Sequence, residues 1–193
     1  MQSSPVRLVV SVAVTCTVAA VGLAATYAIT APRIAARELQ AEQDALALVL
    51  PDAEEFASVS LETLEASQEA AGDSTVSAIY EALDGSGNLV GWGLKIASRG
   101  YGGPIPMVIG MDRDGKVVGL SILSMNETPG LGTRVQSEEW FLEQFSSLPP
   151  GYTEKDVKEL DMISGATKSS RGVRNSVVAA GAVYDEVLAG SGE

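Results

Sequence analysis

An α+β fold is expected for this chain: a single N-terminal transmembrane helix, then a domain built on a mostly antiparallel sheet with flanking helices. Three features point to it. Leu8 to Thr30 is an uncharged, largely apolar run of 23 residues, long enough to cross a bilayer as a helix. Two strand-like stretches fold back through turn residues, at Asp84-Gly85-Ser86-Gly87-Asn88 and at Asp112-Arg113-Asp114-Gly115. The stretch from Ser169 to Leu188 carries Val173, Val177, Ala180, Tyr184 and Val187 at helical spacing.

A length of 193 residues allows one ordinary domain and an anchor. Arg7 precedes the apolar run, and Pro32, Arg33 and Arg37 follow it. Small residues at Ala25-Thr26-Tyr27-Ala28 would suit a cleaved signal peptide, but the apolar core exceeds a signal's usual length, so residues 1–31 are read as a permanent anchor. One arginine before the span and two after it leave orientation open on the positive-inside rule. Ala35 to Leu50 repeats apolar residues at Ala35, Leu39, Ala41, Ala45, Leu46 and Leu50, which predicts a helix stopping near Pro51, a plain stalk. Asp52 to Asp73 is acidic and rich in Ala and Ser, and reads as a weakly ordered connection. Residues 32–73 are thus expected to be stalk and linker, and 74–193 the compact domain.

Within that domain Val76 to Leu83 and Leu89 to Ala97 form the first expected hairpin, with Trp92, Leu94 and Ile96 on one face. Met107 to Met111 and Lys116 to Ser124 form the second. Ser137 to Ser146 reads as a short helix capped by Ser137, with Trp140, Phe141 and Phe145 turned to the core. Pro149-Pro150-Gly151 ends it, and Gly190 closes the last helix.

Composition narrows the chemistry. With no histidine, imidazole catalysis and histidine-ligated zinc or haem are excluded. The one cysteine, Cys16, lies in the apolar run, so there is no disulfide, thiolate cluster or dithiol. No residue is assigned a catalytic role and no metal is expected. Redox work would need an organic cofactor. All 25 acidic residues lie from Glu38 on, against 10 of the 13 bases, a net −15 that repels nucleic acid and anionic lipid.

Three loops remain. Gly100-Tyr101-Gly102-Gly103-Pro104-Ile105 is either a surface connection or a backbone that something must approach closely. In Glu127-Thr128-Pro129-Gly130-Leu131-Gly132, Pro129-Gly130 suits a type II turn. It serves either as a rigid turn or as a frame presenting Thr128, Leu131 and peptide groups to a planar amphipathic ring. Asp161-Met162-Ile163-Ser164-Gly165-Ala166-Thr167 leads into Lys168-Ser169-Ser170-Arg171, placing Thr167 at the start of the last helix. Free N–H groups, the helix dipole, Lys168 and Arg171 would favour a phosphate there. The plainer alternative is that the hydroxyl caps the helix.

Asp161-x-x-Ser164-Gly165-Ala166-Thr167 resembles the flavinylation motif of FMN-binding domains, D-x-x-[ST]-G-A-[ST]. The Gly-Tyr-Gly-Gly-Pro-Ile and Glu-Thr-Pro-Gly-Leu-Gly runs resemble two further elements of that family, in the same order. With one N-terminal span and this length, the chain is similar, over roughly residues 6–188, to the G subunit of the Rnf electron-transport complex. The anchor and stalk match only in kind, and Asn126 stands where a basic residue or histidine is frequent. The resemblance implies FMN held by a phosphoester on Thr167, attached by a flavin transferase that uses FAD. It implies a domain outside the cytoplasm and neighbouring membrane subunits that pass electrons between ferredoxin and NAD while moving sodium ions or protons. A ring held against Tyr101, Glu127, Thr128, Leu131 and Gly132, with its phosphate near Ser164, Gly165, Ala166, Thr167 and Lys168, completes the expected site. The alternatives are the corresponding subunit of the sodium-pumping NADH:quinone oxidoreductase, a free-standing extracellular flavin carrier, or a membrane-tethered sensory or binding domain without redox function.

Overall fold

The computed structural model describes residues 5–190. Contacts divide the chain into two units, Met1–Ala41 and Glu42–Glu193. Helix α1, Pro5–Val49, runs through both. Its part in the first unit is long and apolar enough to cross a membrane, and none of that stretch is buried against protein. Val9, Leu23 and Ile29 are all exposed. The hydroxyls of Thr15, Thr17, Thr26 and Thr30 each donate to the carbonyl four residues back at 2.9 Å, so they are satisfied within the helix, as a lipid environment requires.

In the second unit five strands lie in sequence order: β1 Glu55–Ser58, β2 Thr75–Leu83, β3 Leu89–Arg99, β4 Pro104–Asp112 and β5 Val117–Ile122. Every pairing is antiparallel, as the two turn signals require. Asp84 Oδ1 accepts from the N–H groups of Ser86 and Asn88, and Asp112 Oδ1 from those of Asp114 and Lys116, so each hairpin is held by the carboxylate that opens it.

Both faces of the sheet are covered. One carries Ile79, Leu94, Ile96, Met107, Ile109 and Met111, all fully buried, against helix α6, Thr167–Val183, which a π turn prolongs to Leu188. The other receives the last turns of α1 through Leu46, Val49 and Leu50. Their seat is a row of glycines: Gly93 pairs with Gly110, and Gly110 with Gly119. A Cβ on Gly110 would lie 2.8 Å from the Val49 carbonyl, and one on Gly119 2.9 Å from Val49 Cα. The glycines let helix backbone rest on strand backbone. Glu42 adds a polar clamp, accepting from Tyr80 Oη at 2.6 Å and pairing with Lys95 Nζ at 2.5 Å. The segment read as a plain stalk therefore ends as one layer of the domain.

Two further expectations need correction. The stretch from Asp52 to Asp73 is ordered: it supplies edge strand β1 and helix α2, Leu61–Ala70, capped by Ser60. Val59, Leu64, Ala70 and Ala71 join the core, and Gln68 bonds the Ser74 carbonyl and the Val76 N–H. Compositional blandness concealed an element held by a handful of contacts. The single helix expected from Ser137 to Ser146 is three short pieces: α3 Arg134–Ser137, α4 Glu139–Glu143 and a 3-10 turn Gln144–Ser147. Ser137 ends α3 and caps nothing, because Glu138 adopts extended backbone between the two helices. Phe141 and Phe145 are buried, but Trp140 stays 44% exposed, edge-on to Phe141 with its indole N–H on Glu138. A short helix unread in the sequence, α5 Glu154–Glu159, begins at Thr153, whose N–H and hydroxyl both donate to Asp156.

Burial, then the hydrogen bond to Glu42, push the Tyr80 phenol up to about 12. A folded-state value above the unfolded one, about 10, stabilises the fold below pH 10 and loses that contribution as pH rises towards 12. Urea unfolding at pH 9 and pH 11 should therefore show a smaller loss of stability in Tyr80→Phe than in the wild type.

Candidate functional site

The three loops singled out in the sequence meet at the N-terminal end of α6. They line one cleft of about 510 Å3, bounded by Tyr101, Glu127, Thr128, Leu131, Gly132, Gly165, Ala166, Thr167, Lys168 and Ser169. Nine of the ten expected site residues line it. Ser164 lies in the adjoining turn, where its carbonyl accepts from Arg134 Nη1 at 3.0 Å.

Each loop is fixed by local bonding. In the second, the Leu131 N–H returns to the Thr128 carbonyl at 3.1 Å, and Gly130 takes φ 74°, the type II geometry that Pro129-Gly130 favours. In the third, Ala166 N–H closes on the Ile163 carbonyl at 3.0 Å, and Gly165 takes φ 83°. This turn is pinned from both sides. Ser170 Oγ accepts from Ile163 N–H at 3.2 Å, and Gln144 exchanges two hydrogen bonds with the backbone of Asp161.

Glu127 joins all three loops. It is 7% exposed, and its Oε1 accepts from the N–H groups of Tyr101 at 2.9 Å and Gly102 at 3.1 Å. Its Oε2 accepts from Ser169 Oγ at 2.8 Å. The carboxylate is thus occupied by protein donors beneath the cleft, and its contribution is to hold the walls. Glycines make the approach possible: a Cβ on Gly102 would overlap the Asn126 carbonyl, and one on Gly132 would lie 2.6 Å from Glu127 Oε2.

Thr167 is the first residue of α6, and the N-cap is Ala166, which has no side-chain acceptor. The first intrahelical bond runs from Ser170 N–H to the Ala166 carbonyl, so the N–H groups of Thr167, Lys168 and Ser169 end at the cleft without an intrahelical partner. The Thr167 hydroxyl caps nothing, and the residue is exposed. No acidic residue occupies the first turn. Lys168 Nζ lies 5.4 Å from the centre of the Tyr101 ring, a cation over an aromatic face at the cleft rim. Free N–H groups, a positive helix end, one cation and an accessible hydroxyl together suit a phosphate carried on a group that can lie against Leu131 and Tyr101.

Arg134 and Gln144, which hold the Ser164–Thr167 turn, were not singled out in the sequence. Both sit in the broken helical segment, 17 to 30 residues from their partners, where no spacing rule marks them. Arg134, then the Trp140 indole, also hold the Glu138 carboxyl below the usual carboxylate range.

Comparison with known proteins adds the family. Residues 100–181 match the model of the FMN-binding domain, a range that opens on the Gly100 loop and includes both others. The chain is 30% identical over 182 residues, 91% of its length and 89% of the relative's, to the G subunit of the proton-translocating ferredoxin:NAD(+) oxidoreductase complex of Clostridium ljungdahlii. It is 32% identical over 170 residues, 86% of the chain and 87% of the relative, to the G subunit of an ion-translocating oxidoreductase complex of Methanosarcina acetivorans. The G subunit of the Na(+)-translocating ferredoxin:NAD(+) oxidoreductase complex of Acetobacterium woodii is 30% identical over 181 residues, 88% of the chain and 86% of the relative.

If Glu127 holds the three loops, Glu127→Ala should cost about 2–3 kcal/mol by stranding buried donors. Glu127→Gln, which keeps an acceptor for the two N–H groups, should cost less than half of that by chemical denaturation.

Proposed function

This chain belongs to the G-subunit family of the Rnf-type ion-translocating oxidoreductases, and from that footing we propose that it carries electrons through an FMN bound covalently to Thr167. The single observation that carries this reading is the state of Thr167. A threonine at the start of a helix ordinarily serves as a cap, and here the hydroxyl caps nothing and stands in a cleft beside free N–H groups. The relatives' complexes, named for ferredoxin:NAD oxidation-reduction and ion translocation, supply the setting. The partners are the other membrane subunits of such a complex. The apolar part of α1, long enough to cross a membrane, anchors the chain, and the family resemblance supports a domain on the extracytoplasmic side.

When bound, FMN supplies the reversible electron chemistry that a chain without histidine and with one cysteine in its apolar segment lacks. The residues of the chain bind and orient. Thr167 Oγ1 would hold the FMN phosphoryl group as an ester, formed when the transferase cleaves the pyrophosphate of FAD, with AMP leaving and the hydroxyl proton lost. The N–H groups of Thr167, Lys168 and Ser169, with the Lys168 ammonium, balance its charge in a domain that is otherwise acidic. Leu131 and Thr128 present an apolar and a polar contact on a rigid turn, and Tyr101 closes the rim. An alcohol is a poor nucleophile at neutral pH, and no histidine is present to activate it, which supports attachment by a separate flavin transferase rather than by the chain itself.

Protein produced together with a flavin transferase and run on a denaturing gel should show a flavin-fluorescent band. Thr167→Ala should abolish it and Thr167→Ser should retain it. A Thr167→Ala band as bright as the wild type would refute the attachment site.

A further inference from the structure

Past the flavin cleft, the same helix builds a second pocket. It has a volume of about 460 Å3, and its walls include Val157, Lys158, Met162, Arg171, Arg174 and Asn175. Thr167 and Arg171 are one turn apart on α6, and Arg174 and Asn175 continue the same side. The facing wall comes from α5 and from Met162, just beyond it.

Arg174 is only 8% exposed. Its guanidinium makes no hydrogen bond or ion pair among the described residues, and Nη2 is shut off from solvent without a partner. A buried cation in this state is costly unless something pairs with it. Arg171, three residues earlier, also lacks an acidic partner among the described residues. Lys158 is paired with Glu154 at the rim at 2.5 Å. Burial, then the neighbouring charge of Arg171, lower the Arg174 pKa, so the two guanidinium groups repel. Lys168, Arg171 and Arg174 stand in the first half of a helix whose first turn holds no acid, the end where cations are least favoured. Folding alone gives no reason for this arrangement. A bound anion does.

We propose that Arg171 and Arg174 form a second anion site, separate from the flavin cleft, that takes the phosphoryl group of a phosphate monoester. Two adjacent guanidinium groups present fork-like donors to tetrahedral oxygens, and their two charges match a dianion, whereas a single carboxylate would leave one unbalanced. A phosphate monoester is close to a dianion at neutral pH. The pocket exceeds what phosphate alone fills, and lies in the size range of organic ligand sites. Met162 and Val157 offer apolar wall, and Asn175 offers an amide that can both donate and accept. The shared chemistry is the phosphoryl group. Free phosphate and an organic monoester are its two sources.

Full-length protein in detergent can be titrated calorimetrically with inorganic phosphate, AMP and succinate. A phosphate site that depends on Arg171 and not on Lys168 is expected, present equally in Thr167→Ala, so that it stands or falls apart from flavin attachment. Arg171→Gln, an exposed position that leaves folding intact, should weaken binding about tenfold, and Arg174→Gln should weaken it at least as much. Succinate should bind at least about tenfold more weakly than phosphate. Tighter binding of AMP than phosphate would identify an organic monoester as the ligand, and equal binding free phosphate; both support the site. The absence of binding at about 10 mM phosphate and AMP would overturn the proposal. So would affinity unaffected by Arg171→Gln, affinity lost with Lys168→Gln instead, which would return the anion to the flavin cleft, or succinate binding as tight as phosphate.

Discussion

A carboxylate withdrawn from water must be surrounded by donors, and at Glu127 those donors come from two other loops. The N–H groups of Tyr101 and Gly102 approach from the hairpin connection between β3 and β4, and the Ser169 hydroxyl from the first turn of α6. Hydrogen bonds to a charged group contribute more than neutral ones, and losing the acceptor would strand buried donors. The cleft is thus a consequence of one ionised side chain and the glycines that let backbone come close to it. Everything proposed for Thr167 depends on that frame, because the hydroxyl itself is held only by the helix it begins.

That helix is held just as firmly from behind. Gly172 lets α6 pass within contact of the Arg99 carbonyl, next to the Gly100 loop. Ser176 donates to Ser98, which in turn bonds Ser74 at 2.6 Å, tying helix to strands through buried hydroxyls. Tyr152 donates to the Val177 carbonyl, and its ring lies against Gly181. On the opposite face of the sheet, the glycine row and the Glu42 clamp hold the final turns of α1. A cofactor at the start of α6 would sit on an element whose position is set by both sheet packing and buried polar bonds, the rigidity an electron carrier needs to keep a fixed distance to its neighbours.

Local signals carried much of this. Asp-Gly and Asn-containing turns marked both hairpins because the turn residues themselves hold them, and Pro129-Gly130 marked a turn because its backbone conformation restricts the residues allowed. What stayed hidden depends on partners far along the chain. Leu64 and Gln68 order α2 only because β2 lies beside them. Trp140 was read as core by its neighbours Phe141 and Phe145, yet the break at Glu138 rotates it outward. Nothing in the sequence singled out Gly93, Gly110 and Gly119, and their role emerges only when pairing aligns them under Val49. The loops at the cleft could each be read as plain connections, and it is their convergence on one carboxylate that joins them.

The central claim is a covalent one, and mass measures it most directly. The full-length protein, produced with a flavin transferase, should carry the added mass of one FMN, and peptide mapping should place it between Gly165 and Arg171. Protein of unmodified mass from the same preparation, or an FMN adduct mapped to any other peptide, would contradict the account.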